Sequence, residues 1–130
     1  MFCKGIGISF GGEAKDAARR AAIRALAQNP KPGFAFLFSS ISYNQPDLFE
    51  TIRQELGNIP VFGTTSPTII TNLGLACHWV LLVLITTDGL EFSIQAGKCK
   101  ENPSEVARYL CNRTCMKIPL FPGTSLPAFC

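Results

Sequence analysis

Five consecutive apolar residues, Phe34-Ala35-Phe36-Leu37-Phe38, stop abruptly at Ser39-Ser40-Ile41-Ser42. A half-exposed strand alternates apolar and polar positions, so an unbroken apolar run reads as a strand covered on both faces, as in parallel sheets. The layout repeats downstream, where Ile59-Pro60-Val61-Phe62 runs into Gly63-Thr64-Thr65-Ser66-Pro67. Two such strands joined by a helix require parallel pairing through a right-handed crossover. Their carboxyl ends then open side by side, where open α/β sheets hold ligands. Ser39, Ser40, Ser42, Thr64, Thr65 and Ser66 are therefore the expected lining of one shared hollow for a small polar ligand. Gly63 gives room for backbone to approach closely. The competing reading of the same residues is local turn chemistry.

The rest of the chain extends this pattern. Ile6 to Phe10 reads as a first strand and Gly11-Gly12 as its turn. Glu13 to Gln28 reads as a helix, with Ala14, Ala17, Ala18, Ala21, Ala22, Ala25 and Leu26 on one stripe and Asn29-Pro30-Lys31-Pro32-Gly33 as its stop. A stripe of alanines lets a helix lie close to a sheet. A second helix is expected from Asp47 to Leu56, begun by Pro46, stopped by Gly57, with Leu48, Ile52 and Leu56 inward. Trp79 to Thr86 is a further strand. Asp88-Gly89 followed by the alternating run Leu90 to Ala96 reads as a hairpin, with Leu90, Phe92 and Ile94 inward. A last helix is expected from about Asn102 to Arg113, with Val106, Tyr109 and Leu110 inward.

The fold class expected is therefore α/β: a three-layer sandwich around a mixed sheet, with a β-α-β-α-β start followed by an antiparallel hairpin and a helix. A length of 130 residues fits one domain. Residues 1–115 are read as that domain. Residues 116–130, with Pro119, Pro122 and Pro127, read as a proline-rich tail, and the chain as the first part of a larger domain.

Charge excludes some functions. Twelve Lys and Arg against nine Asp and Glu leave a net +3, too mild for a nucleic-acid surface. Arg19, Arg20 and Arg24 read as a solvated helix face, with a phosphate or acidic-partner site as the alternative. Charged residues make up only 16% of the chain, which leaves apolar surface for a partner domain or a second copy. No apolar stretch approaches the ~20 residues of a membrane span, and no signal-peptide pattern opens the chain, so a soluble, cytoplasmic protein is expected. The six cysteines, Cys3, Cys77, Cys99, Cys111, Cys115 and Cys130, then read as reduced structural thiols. Cys111 and Cys115 share a helix face, but two thiols far from His78 do not make a metal site, and none is expected. Gly5, Gly7 and Gly11 are out of order for a dinucleotide loop, because Gly5 and Gly7 precede or lie within the strand rather than following it, so no cofactor is expected.

Catalytic patterns are scarce. No G-x-S-x-G elbow, Walker loop or H-E-x-x-H occurs. His78, the only histidine, precedes an apolar strand, and adjacent Cys77 points to the opposite face. No catalytic residue is expected.

Three segments together carry a resemblance. Ile6-Gly7-Ile8-Ser9 before an alanine-rich helix, Phe34 to Ser40, and Pro60-Val61-Phe62-Gly63-Thr64-Thr65-Ser66 before a Val/Leu strand are similar to the N-terminal FIST domain, over about residues 5–97. The Gly63-Thr64-Thr65-Ser66 turn is its most specific part. The family usually continues with small residues, often Ala-Gly-Glu, where this chain has Pro67-Thr68-Ile69. The resemblance implies an intracellular sensory module of signal transduction that binds a small ligand such as an amino acid. The alternatives carried forward are a small hydrolase or transferase using Ser39, Ser40 or Ser66 as nucleophile, and a structural or dimerising domain.

Overall fold

The computed structural model describes residues 2–89, 94–99 and 102–117. They fall into two compact units divided after Gly89. The first unit holds β1 (Phe2–Phe10), α1 (Ala14–Leu26), β2 (Phe34–Ser40), α2 (Gln45–Leu56), β3 (Val61–Ser66), β4 (Ile69–Thr71), β5 (Gly74–Ala76) and β6 (Trp79–Thr87). The second holds α3 (Pro103–Lys117).

The class is α/β around a mixed sheet. Its order is β1-β6-β2-β3, with β2 and β3 parallel and β6 antiparallel to both its neighbours. β1, β2 and β3 thus run the same way; the carboxyl ends of β1 and β2 meet the start of β6, where Phe10 faces Trp79 and Ser39 faces Val80, and β3 ends beside β2, where Ser40 faces Ser66. The 9-residue apolar β6 is buried centrally between β1 and β2, which a sequential reading of β1 and β2 does not reveal.

The hydrophobic core lies between the sheet and the two helices of this unit. Ala17, Ala18, Ala21, Ala22 and Ala25 are fully buried against β1 and β6, whose Val80, Leu82 and Leu84 are also fully buried. Burying each of the leucines contributes about 1.5–3 kcal/mol. Close packing explains the strand glycines: a Cβ on Gly7 would stand 1.8 Å from the Ala21 carbonyl oxygen. On α2, Leu48 and Ile52 are buried and Leu56 partly so, on the stripe expected. Asn44 caps α2, its side chain accepting a hydrogen bond from the Asp47 backbone N–H. The opposite face of the sheet is aromatic, with Phe36 packed edge-on against Phe34 and Phe62.

Several details differ from the sequence reading. β1 begins at Phe2 rather than Ile6, because its amino-terminal half pairs with β6. β3 extends through Ser66, so Gly63, Thr64, Thr65 and Ser66 belong to the strand rather than to a loop. Pairing with β2 carries them on, despite their weak apolar character. Residues 69–76 form a short antiparallel hairpin, β4–β5, that lacks the Asn-Gly or Asp-Gly signal. The hairpin expected at Asp88-Gly89 runs into residues 90–93, outside the described residues, and residues 94–99 carry no strand. In the second unit, Val106 and Leu110 lie against Gly97, but Tyr109 is exposed, with the Arg113 guanidinium 5.6 Å over its ring.

Candidate functional site

The shared direction of β1, β2 and β3 gathers two helix starts at one end of the sheet. Two hollows open there, of about 400 and 410 Å³. One is mostly apolar and lies between α2 and β3. The other is polar and is built from the β1–α1 turn, the β2–α2 loop and the residue leading into β6.

The polar hollow is lined by Glu13 and Lys15 at the start of α1, Ser42 and Tyr43 before α2, Asp47 in the first turn of α2, and His78. Lys15 Nζ lies 3.7 Å from Asp47 Oδ1. Glu13, the N-cap of α1, makes no capping bond through its side chain, so the first-turn amides of α1 are left uncapped. A hydrogen-bonded chain crosses the floor. The Ser40 hydroxyl lies 2.7 Å from the Cys77 carbonyl and 2.7 Å from Ser42 Oγ, which in turn lies 2.9 Å from His78 Nδ1.

Proton accounting fixes the direction of that chain. A carbonyl only accepts, so Ser40 gives its one proton to Cys77. Ser42 must then donate to Ser40, and His78 Nδ1–H must donate to Ser42. The imidazole nitrogen beside Ser42 is therefore occupied by a proton and is no base for that hydroxyl, whereas a serine nucleophile needs such a base. The runner-up chemistry on Ser39, Ser40 or Ser66 gains nothing either, since the histidine meets Ser42 instead. With its proton on Nδ1, an uncharged His78 ring would present Nε2 as an acceptor.

Tyr43 closes the hollow from below. It is buried, its ring centroid lies 4.6 Å from that of His78, and its hydroxyl donates to the Gly11 carbonyl at 3.3 Å. Burial raises its pKa, and the nearby Arg20 charge offsets part of that rise.

The seven residues read from the sequence do not converge on one hollow. β2 and β3 are adjacent, and Ser39 faces Thr65 as Ser40 faces Ser66. Successive strand residues point to opposite faces, however, so the two pairs lie on opposite sides of the sheet. Ser39, Gly63, Thr64 and Thr65 line the apolar hollow, and Ser42 lines the polar one. Ser39 donates to Gln45 Oε1 at 2.9 Å, and Ser66 to the Thr68 carbonyl at 2.8 Å. Gly63 is needed by the sheet itself, because a Cβ there would stand 1.6 Å from the Leu37 carbonyl oxygen.

The sequence reading missed Glu13, Lys15, Tyr43, Asp47 and His78 as neighbours. A usable signal was their position, since each lies just past a strand or beside a helix start. All three arginines are exposed, as the solvated-face reading has them, but each is engaged. Arg19 pairs with Glu55 at 3.3 Å, while Arg20 and Arg24 bind β1 backbone carbonyls. Among the described residues no group of three or more His, Cys, Asp or Glu is placed to hold a metal ion, and no helix is long and apolar enough to cross a membrane. Cys3, Cys77, Cys99 and Cys111 are free thiols.

Comparison with known families matches the FIST N domain over residues 33–126. No curated protein matches the chain.

Proposed function

The chain belongs to the FIST N domain family, a family of signalling and sensory domains, and from that premise we propose that it senses a small polar ligand in the polar hollow without transforming it. The observation that carries this reading is the pairing of uncapped α1 amides with two carboxylates across one small polar space. A ligand carboxylate suits the amides and positive end of α1, helped by Lys15. A ligand ammonium suits Glu13 and Asp47. Ser42 and His78 Nε2 are left to orient polar substituents. An amino acid carries both charged groups at the required small size. Ser42 is the member of the original hydroxyl set that this reading keeps at the ligand. Ser39, Gly63, Thr64 and Thr65 belong to the apolar hollow, Ser40 holds Ser42 and the Cys77 carbonyl, and Ser66 bonds the Thr68 carbonyl. In the intact signalling system a partner domain or second chain reads the bound state, in the cytoplasm.

The test is thermal unfolding of the whole chain with a panel of amino acids and small mono- and dicarboxylates. A binder at a hundred times its Kd stabilises the fold by about 2.7 kcal/mol. The expected result is a Tm increase with one amino acid class, lost in Glu13→Gln and Ser42→Ala while both variants remain folded. A flat response across the panel, or a response untouched by both substitutions, rejects this site.

A further inference from the structure

The turn that leads into the polar hollow has no side chains of its own to stiffen it. Gly11 and Gly12 stand between β1 and α1, with φ of +63° and +81°. Both lie in the left-handed region, which glycine enters without strain. The same freedom opens many other conformations to two successive glycines. Glu13 follows directly, and its side chain does not cap α1. The placement of Glu13 and of the uncapped amides therefore depends on what fixes this turn from outside.

Three elements fix it at Gly11. The Gly11 N–H donates to the His78 carbonyl at 3.0 Å. The Gly11 carbonyl accepts from Arg20 Nη2 at 2.6 Å and from the Tyr43 hydroxyl at 3.3 Å. Of the two, the arginine makes the shorter, charge-assisted bond. The same guanidinium donates to Ser9 Oγ at 3.0 Å and to the Phe10 carbonyl at 3.3 Å. Ser9 is fully buried, so this end of the fork has a fixed anchor. At the other end, a Cβ on Gly12 would stand 3.1 Å from Arg20 Nη2. The guanidinium thus spans the turn from the end of β1 to Gly12. Gly12, Glu13 and Tyr43 line the hollow, whereas Arg20 does not.

We propose that Arg20 is a positioning residue for the ligand of the polar hollow, acting through the Gly11 carbonyl. The inference rests on the sensing reading given above. Arg20 holds the glycine turn so that Glu13 and the first-turn amides of α1 are in place before a ligand arrives. A loop ordered in advance spares the ligand the entropy of ordering it. Freeing the turn adds that cost to binding.

Isothermal titration calorimetry of the full chain tests this, well below the Tm of each variant, with glycine, L-alanine, L-aspartate, L-glutamate and L-lysine as separate probes. Arg20 is exposed, so Arg20→Met, which keeps an apolar stem, is expected to stay folded. Its Tm should fall, because Ser9 loses a partner. The deciding quantity is Kd, which a merely structural role would not move in the folded chain. Arg20→Met should weaken it about fivefold or more, and Arg24→Met, which frees only the Ile8 carbonyl, should stay within about twofold of the unmutated chain. Arg20→Lys keeps the charge without the planar fork and should weaken binding nearly as much as Arg20→Met. In the free chain, the Gly11 amide should exchange its hydrogen faster in Arg20→Met. An unchanged Kd or unchanged Gly11 exchange in Arg20→Met, equal weakening in Arg24→Met, or full affinity in Arg20→Lys overturns the proposal and leaves the sensing reading standing. Failure of every probe to bind the unmutated chain removes the ligand site, and this inference with it.

Discussion

The two helices of the first unit cover the same side of the sheet in opposite ways. α1 buries a face of alanines, and its backbone comes so close that β1 needs glycine beneath it. α2 buries Leu48 and Ile52, stands farther out, and leaves a hollow of about 400 Å³ beside β3. Small side chains seal, whereas large ones space. The first arrangement gives a close-packed platform, and Arg20, Arg24 and the neighbouring Gln28 cover part of the β1 edge. The second leaves a cavity.

Substitutions under α1 should break this contrast most severely. Gly7→Val has no room to relax, because the clash is with the Ala21 backbone; it is expected to cost about 3 kcal/mol or more or to prevent folding, as read by urea unfolding. A loss below about 1 kcal/mol would mean that α1 can lift off the sheet. Under α2, Leu48→Ala removes a buried side chain but displaces no backbone. The expected loss is about 2–3 kcal/mol with the denaturant slope unchanged. Smaller still is Arg24→Ala, which uncovers the Ile8 carbonyl at a solvent-exposed edge. About 1 kcal/mol is expected, with new concentration-dependent association through β1. Association confined to β3 in that variant would show that α1 does not protect the edge.

The weakest effect is that of pH. Folding raises the Tyr43 pKa, mainly through burial, so the folded state prefers the neutral phenol. The unfolded chain starts to ionise near pH 10, and stability should fall as pH rises from there until the folded phenol also titrates. Tyr43→Phe should flatten that part of the stability curve, and an unchanged slope would place its origin elsewhere.

Much of this architecture was legible in the residues. The alanine stripe located α1, the spacing of Leu48 and Ile52 gave the inner face of α2, and Pro46 with Gly57 bounded it. Of the three segments that carry the resemblance, Phe34 to Ser40 and Pro60 to Ser66 lie inside the matched residues, whereas Ile6 to Ser9 and the alanine-rich helix precede them. The candidate site was legible only by location. Hydroxyls at strand ends marked the right end of the sheet. Strand alternation then sent Ser39 and Thr65 to one side and Ser40 and Ser66 to the other. Tyr109 was misplaced for a related reason, because helical spacing alone did not separate its exposed position from that of Leu110.

Local chemistry, written into the chain, determined the elements, the parallel pairing of β2 with β3 and the family. Tertiary structure alone decided that β6 would lie between β1 and β2, bringing His78 to Ser42. It also turned Arg20, Arg24 and Gln28 toward β1. The reason is range: propensity and periodicity act over a few residues, whereas these contacts join segments 10 to 36 residues apart. Only the packed sheet brings such segments within hydrogen-bonding distance.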